Sequence, residues 1–158
     1  AYDQLKYVDI SYNLFDNIPN LHRMNIVTVF NISNNRIVDL TEKIYQLESL
    51  CELYVMNNKL IHVPKSIGNL KNLEILDISD NMLVDLPFSI GDCQNLRELK
   101  LRGNSLESLP ATLRQLTNLD IFHVGQWPVT EFKIIHDEHR QENLKLSPYQ
   151  LNIPQHVE

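Results

Sequence analysis

If this 158-residue chain performed chemistry, its histidines and asparagines are where the search would begin. His136-Asp137-Glu138-His139 sets two imidazoles three positions apart, and on a helix both would share one face and could hold a metal ion. The spacing is not that of His-Glu-x-x-His and no third ligand is evident, so solvated polar residues are the expectation and no metal is assigned. Asp and Glu are distributed along the chain without converging on one point. The four glycines, Gly68, Gly91, Gly103 and Gly125, lie too far apart for a phosphate-cradling loop. No serine or cysteine has a nucleophile-elbow context. The residues therefore predict no catalytic group, no cofactor and no small-molecule substrate.

Asparagine recurs instead. Asn35, Asn58, Asn81 and Asn104 follow one another at 23-residue intervals, Trp127 comes 23 later, and Asn13 precedes Asn35 by 22. An amide both donates and accepts, so each asparagine can bond backbone groups freed at a turn. Stacked from coil to coil, these amides are expected to form a ladder that fixes the spacing of neighbours.

The elements that must carry this ladder share its period. Leu73-x-x-Leu76-x-Ile78-x-x-Asn81-x-Leu83-x-x-Leu86-Pro87 returns as Leu96-x-x-Leu99-x-Leu101-x-x-Asn104-x-Leu106-x-x-Leu109-Pro110. Leu76 and Ile78 have the period-two spacing of a strand with one face buried. Pro87 suits the start of a helical or extended return segment, from which Ile90 and Cys93 face the core. Coil one offers Leu5, Val8, Ile10, Phe15 and Ile18; coil two offers Val27, Phe30, Ile32, Ile37 and Leu40, with Thr41 in the proline position. Coil three adds Leu50, Leu53, Val55, Leu60, Val63, Ile67 and Leu70, and coil five adds Leu113 and Leu116. In coil six Leu119, Phe122, Val124 and Val129 persist, but Trp127 has no acceptor, so the ladder is expected to stop there. A fixed period of this length predicts an α/β solenoid of about six coils. Its strands should be parallel, its crossovers right-handed, and its sheet concave because the return segments are bulkier.

The totals narrow the function. A net charge of −6 and a pI near 5.5 argue against a nucleic-acid partner. The apolar runs are too short to span a membrane, and no basic, apolar leader opens the chain. Cys93 takes a core position and Cys51 lies in a different part of the neighbouring coil, so no disulfide is expected and a reducing compartment is. Asn31-Ile32-Ser33 has the form of a glycosylation site, but it falls in a predicted strand.

Val63-Pro64-Lys65-Ser66-Ile67-Gly68-Asn69-Leu70 and Leu86-Pro87-Phe88-Ser89-Ile90 complete a frame that resembles the leucine-rich repeat. The form is the 23-residue intracellular one, similar to Ras-pathway scaffolds and LAP adaptors, and the resemblance covers residues 2–132. It implies binding of another protein. The cysteine-rich caps of extracellular relatives are absent, which implies an intracellular, cytoplasmic location.

Residues 1–132 are thus expected to form the repeat domain and 133–158 a capping or docking tail. Glu131 to Leu146 is read as a helix with Phe132, Ile135 and His139 on one face. At the other end, Tyr2 matches the last return position and Leu5 the first of the next coil, so the expectation is either a fragment of a longer array or Tyr2 and Leu5 packed against a partner.

Side chains alternating with the buried strand residues point out of the sheet. They form three columns: Tyr7, Val29, Glu52, Ile75, Glu98 and Ile121; Asp9, Asn31, Tyr54, Asp77, Lys100 and His123; Ser11, Ser33, Met56, Ser79, Arg102 and Gly125. Large apolar groups (Tyr7, Val29, Tyr54, Met56, Ile75) would face water there. Acidic Asp9, Glu52 and Asp77 precede Lys100, Arg102 and His123. This combination reads as an interface core with a charged rim. The expected function is a scaffold that grips a partner protein on its concave face, centred on Tyr54, Met56, Asp77, Lys100 and Arg102. A structural subunit of a large assembly, or the recognition domain of a larger signalling enzyme, would present the same features.

Overall fold

The computed structural model describes residues 4–124, together with the backbone of residues 132–135 and 144–146. Six short strands run parallel in chain order, β1 (Tyr7–Asp9), β2 (Val29–Asn31), β3 (Glu52–Tyr54), β4 (Ile75–Asp77), β5 (Glu98–Lys100) and β7 (Ile121–His123). Each coil thus adds one strand beside its predecessor, as a repeat that buries its apolar face only against neighbours must. The middle residues Phe30, Leu53, Leu76, Leu99 and Phe122 are fully buried. Ile32, Val55, Ile78 and Leu101 continue the buried row, so the period-two pattern holds from coil two onward.

The return segments are five-residue 3₁₀ helices: η1 (Glu42–Gln46), η2 (Lys65–Asn69), η3 (Phe88–Asp92) and η4 (Ala111–Gln115). Pro64, Pro87 and Pro110 each precede one in an extended conformation, with φ between −65° and −71°. A proline belongs there because the lost N–H has no partner to miss and φ is already set. Thr41 substitutes differently. It sits at φ 57°, and its hydroxyl accepts from the Lys43 N–H at 3.4 Å. Ile44, Ile67, Ile90 and Leu113 turn inward from these helices, and Leu47, Leu70, Cys93 and Leu116 close the core behind them.

Glycine appears where two return helices meet. A Cβ on Gly68 would lie 2.6 Å from the Ser89 carbonyl oxygen, and one on Gly91 would lie 2.5 Å from that of Thr112. Across the second contact the Thr112 hydroxyl donates to the Phe88 carbonyl at 2.6 Å. Their 23-residue separation is thus a packing requirement.

Two expectations need correction. Leu5 and Phe15 are 40% exposed rather than buried, and Val8, Ile10 and Ile18 only half-buried. Coil one has a neighbour on one side only among the described residues, so half its core goes uncovered. The helix expected over Glu131–Leu146 is not what forms. Phe132–Ile135 (β8) and Leu144–Leu146 (β9) are strands, β8 parallel to β6 (Ser108–Pro110) and antiparallel to β9. Phe132-Lys133-Ile134-Ile135 carries three strand-favouring residues and extends where β6 offers backbone partners. Trp127, Val129, His136 and His139 lie outside the described residues.

Candidate interaction face

The asparagines meet at shared carbonyls rather than at one another. The Asn58 amide nitrogen donates to the carbonyls of Val55 and Met56 in its own coil and to Ile32 in the preceding one, at 3.0–3.3 Å. Its oxygen accepts from the Ile37 N–H at 2.9 Å. Asn35 and Asn81 repeat all four bonds, and Asn104 repeats three. Four strand-end carbonyls therefore take two amides each: Ile10 takes Asn13 and Asn35, Ile32 takes Asn35 and Asn58, Val55 takes Asn58 and Asn81, and Ile78 takes Asn81 and Asn104. A second series, not among the asparagines expected to form the ladder, runs along the far side. Asn72, Asn95 and Asn118 donate to the carbonyls of Glu48, Lys71 and Gln94. The signal was present as a further 23-residue spacing.

The residue before each anchor, from Tyr12 through Asn34, Asn57 and Asp80 to Gly103, has φ between 53° and 73°. Asn, Asp and Gly tolerate this left-handed turn best, which explains the doublets Asn34-Asn35, Asn57-Asn58, Asp80-Asn81 and Gly103-Asn104.

Between these turns lies the open face of the sheet. Tyr7, Val29, Glu52, Ile75, Glu98 and Ile121 are in register, as are Asp9, Asn31, Tyr54, Asp77, Lys100 and His123. Much of its charge is already engaged along single strands, where residues two apart share a face. The Tyr54 hydroxyl donates to Glu52 at 2.7 Å, Tyr7 donates to Asp9 at 3.2 Å, and Lys100 Nζ lies 3.1 Å from Glu98. Asp9, Asn31 and Asp77 also bend back to accept from the N–H groups of Ser11, Ser33 and Ser79. Ser11 bonds, from both hydroxyl and N–H, lead in holding the Asp9 carboxyl below its usual value. Burial, then the Glu52 hydrogen bond and nearby carboxylates, raises that of the Tyr54 hydroxyl.

Exposure divides the expected site. Tyr7, Met56 and Arg102 reach solvent; Val29, Glu52, Tyr54, Ile75, Glu98, Lys100 and His123 are half-buried. Asp77 is only 8% exposed, and Ser33 and Ser79 are buried rather than outward. A serine is too short to emerge between residues the size of Met56 and Arg102, its neighbours in the column. The Arg102 guanidinium has no partner among the described residues, whereas the Lys100 ammonium is paired.

Cys51 and Cys93 are unpaired thiols. Cys93 donates to the Ile67 carbonyl at 3.3 Å, and burial pushes its pKa from 9.0 up to about 12. Its folded value exceeds its unfolded one, so the stability it lends is complete below pH 9 and is lost as pH rises toward 12. Cys93 should therefore resist thiol reagents at pH 8 until denaturant is added. Folding stability should decline above pH 9, with a shallower slope in Cys93→Ala. Sulfhydryl titration with and without guanidinium, and denaturant melts across that range, check both.

The leucine-rich repeat family matches residues 25–83 and 49–106, together more than half of the chain. No curated protein sequence matches it. Among solved structures, a leucine-rich repeat protein of Leptospira interrogans is similar at 32% identity and TM-score 0.75, over 85% of this chain and 33% of its own. The ectodomain of the plant membrane receptor kinase GASSHO1/SCHENGEN3 from Arabidopsis thaliana, solved in complex with CASPARIAN STRIP INTEGRITY FACTOR 2, is similar at 26% identity and TM-score 0.69. That match covers 78% of this chain and 16% of the ectodomain. An internalin of Listeria monocytogenes shares the fold at 20% identity and TM-score 0.68, over 96% of this chain and 40% of its own. The chain spans no more than two-fifths of any of these three structures. With the repeated frame, the six-stranded parallel sheet and the carbonyl-bridged asparagines in agreement, the chain belongs to the leucine-rich repeat family.

Proposed function

We infer that this chain is a protein-binding module that holds its partner on the open sheet face. The observation that carries this reading is the strip Val29, Tyr54, Ile75 and Met56. It is apolar, incompletely covered, and bordered by charges already paired within strands. Groups bonded in advance lose little entropy on docking, and a half-buried tyrosine offers large contact area with two rotatable bonds. Arg102, without a partner of its own, would supply the directional contact to a partner's carboxylate or carbonyl. Such a surface suits binding rather than catalysis, and no helix among the described residues is long and apolar enough to cross a membrane. The unpaired thiols and the 23-residue return support the intracellular type, close to the Ras-pathway scaffolds and LAP adaptors, with a cytoplasmic location.

Affinity capture from cells that express the protein, using wild type beside Tyr54→Ala with Arg102→Ala, tests the reading. The double variant should keep its fold and bind the captured partner about 100-fold more weakly, about 3 kcal/mol for two anchor residues. Unchanged affinity would place the interface elsewhere.

A further inference from the structure

A groove of about 670 Å³ opens on the side of the coil between the asparagine turns and the return helices, and no residue of the six-stranded sheet lines it. Its walls combine Val38, Ile61 and Phe88 with the carboxylates of Asp39, Glu42 and Asp85. The aliphatic part is built by the repeat. Val38 and Ile61 each fall three positions after a ladder asparagine and are 47% and 42% exposed; Val84, at the same place one coil on, is exposed too but does not line the groove. In a solvated turn nothing in the fold requires an aliphatic residue; coil five has Glu107 at the same place.

The charges identify the occupant. Three carboxylates face one lysine, Lys65, which lies beside Glu42; counting His62 as neutral, the groove carries two net negative charges. Two of the carboxylates are also held in place. Asp39 accepts from the Thr41 N–H at 2.9 Å and Glu42 accepts from the Ser66 N–H at 3.1 Å, while Asp85 stays exposed, 3.7 Å from His62 Nδ1. Fixed negative charge beside exposed aliphatic surface repels nucleic acid, anionic lipid and a second copy of this acidic chain. It favours a protein segment in which lysine or arginine alternates with aliphatic side chains. We propose that this flank groove is a second docking site, separate from the sheet face, for a cationic, aliphatic segment of a partner protein.

Amide spectra of the isotope-labelled 158-residue chain, titrated with three short peptides, test this. One peptide alternates leucine with lysine, one leucine with glutamate, and one serine with lysine. The leucine–lysine peptide should shift the amides of Val38, Ile61, His62 and Asp85, and raised salt should weaken it. The other two should bind at least tenfold more weakly. Ile61→Ser with Asp85→Asn, both on exposed residues, should reduce leucine–lysine binding at least tenfold. Asp39→Lys with Asp85→Lys should transfer preference to the leucine–glutamate peptide. Tyr54→Ala with Arg102→Ala should leave peptide binding unchanged, so this site and the sheet face fail or succeed separately. Equal binding of all three peptides, shifts on the sheet instead of the groove, no shifts, or indifference to both groove variants would each overturn the proposal.

Discussion

Replacing Asn81 with alanine is expected to lower folding stability by about 3 kcal/mol and the melting temperature by about 6–12 °C. The size follows from what the amide leaves behind. The Val55 and Ile78 carbonyls keep one amide each, from Asn58 and Asn104, and Ser79 keeps the Asn57 N–H. The buried Leu60 N–H loses its acceptor, and one orphaned buried donor costs about 1–3 kcal/mol before the lost bonds and the small cavity are counted. Asn81→Asp separates hydrogen bonding from packing. Aspartate keeps the acceptor for Leu60 but turns a second oxygen toward three carbonyls, so at neutral pH it should be worse than alanine. Its folded pKa should be raised by that repulsion, so part of the loss should return on acidification. Denaturant melts of both variants at neutral and low pH provide the check. Equal stability of wild type and alanine variant would mean the bridged carbonyls contribute nothing.

Gly91→Val should cost a similar amount, about 3 kcal/mol, for the opposite reason. Here atoms are added where none fit. The first new carbon would come 2.5 Å from the Thr112 carbonyl oxygen and 2.6 Å from its Cβ, so η3 and η4 must separate. Separation stretches the 2.6 Å bond from Thr112 to Phe88 and loosens Ile90, Cys93, Leu113 and Leu116 beneath it. The loss should appear as faster amide exchange concentrated in coils four and five, with the coil-two core unaffected, as expected where each repeat touches only its neighbours. Gly68→Val should behave alike one coil earlier, against Ser89. A variant with wild-type stability would mean that the return helices have room to slide.

The protein-binding reading and the flank groove share one dependence on this architecture. Both surfaces need neighbouring coils at fixed spacing, the sheet face for the strip Val29, Tyr54, Ile75 and Met56 across β2 to β4, and the groove for Val38 and Ile61. The asparagine ladder and the glycine contacts set that spacing from two sides. A loosened ladder is therefore expected to weaken binding at both surfaces together, whereas a surface substitution weakens one.

The sequence alone determined the coil. Leucine spacing dictates which side chains must be buried, and only one winding buries them all; strand register and the outward columns follow because side-chain direction alternates strictly along a strand. Trp127 marks where that pattern changes, but it lies outside the described residues. Tertiary structure decided everything that depends on contact between coils. Asp77, Ser33 and Ser79 are shaded by neighbours 23 residues away, Lys100 spends its charge on Glu98, and Phe132–Ile135 extends because β6 is beside it. The flank groove likewise requires residues of three coils at once. Periodicity specifies the direction a side chain takes; how far it emerges, and what it meets there, depends on the sizes and charges of residues a full coil away.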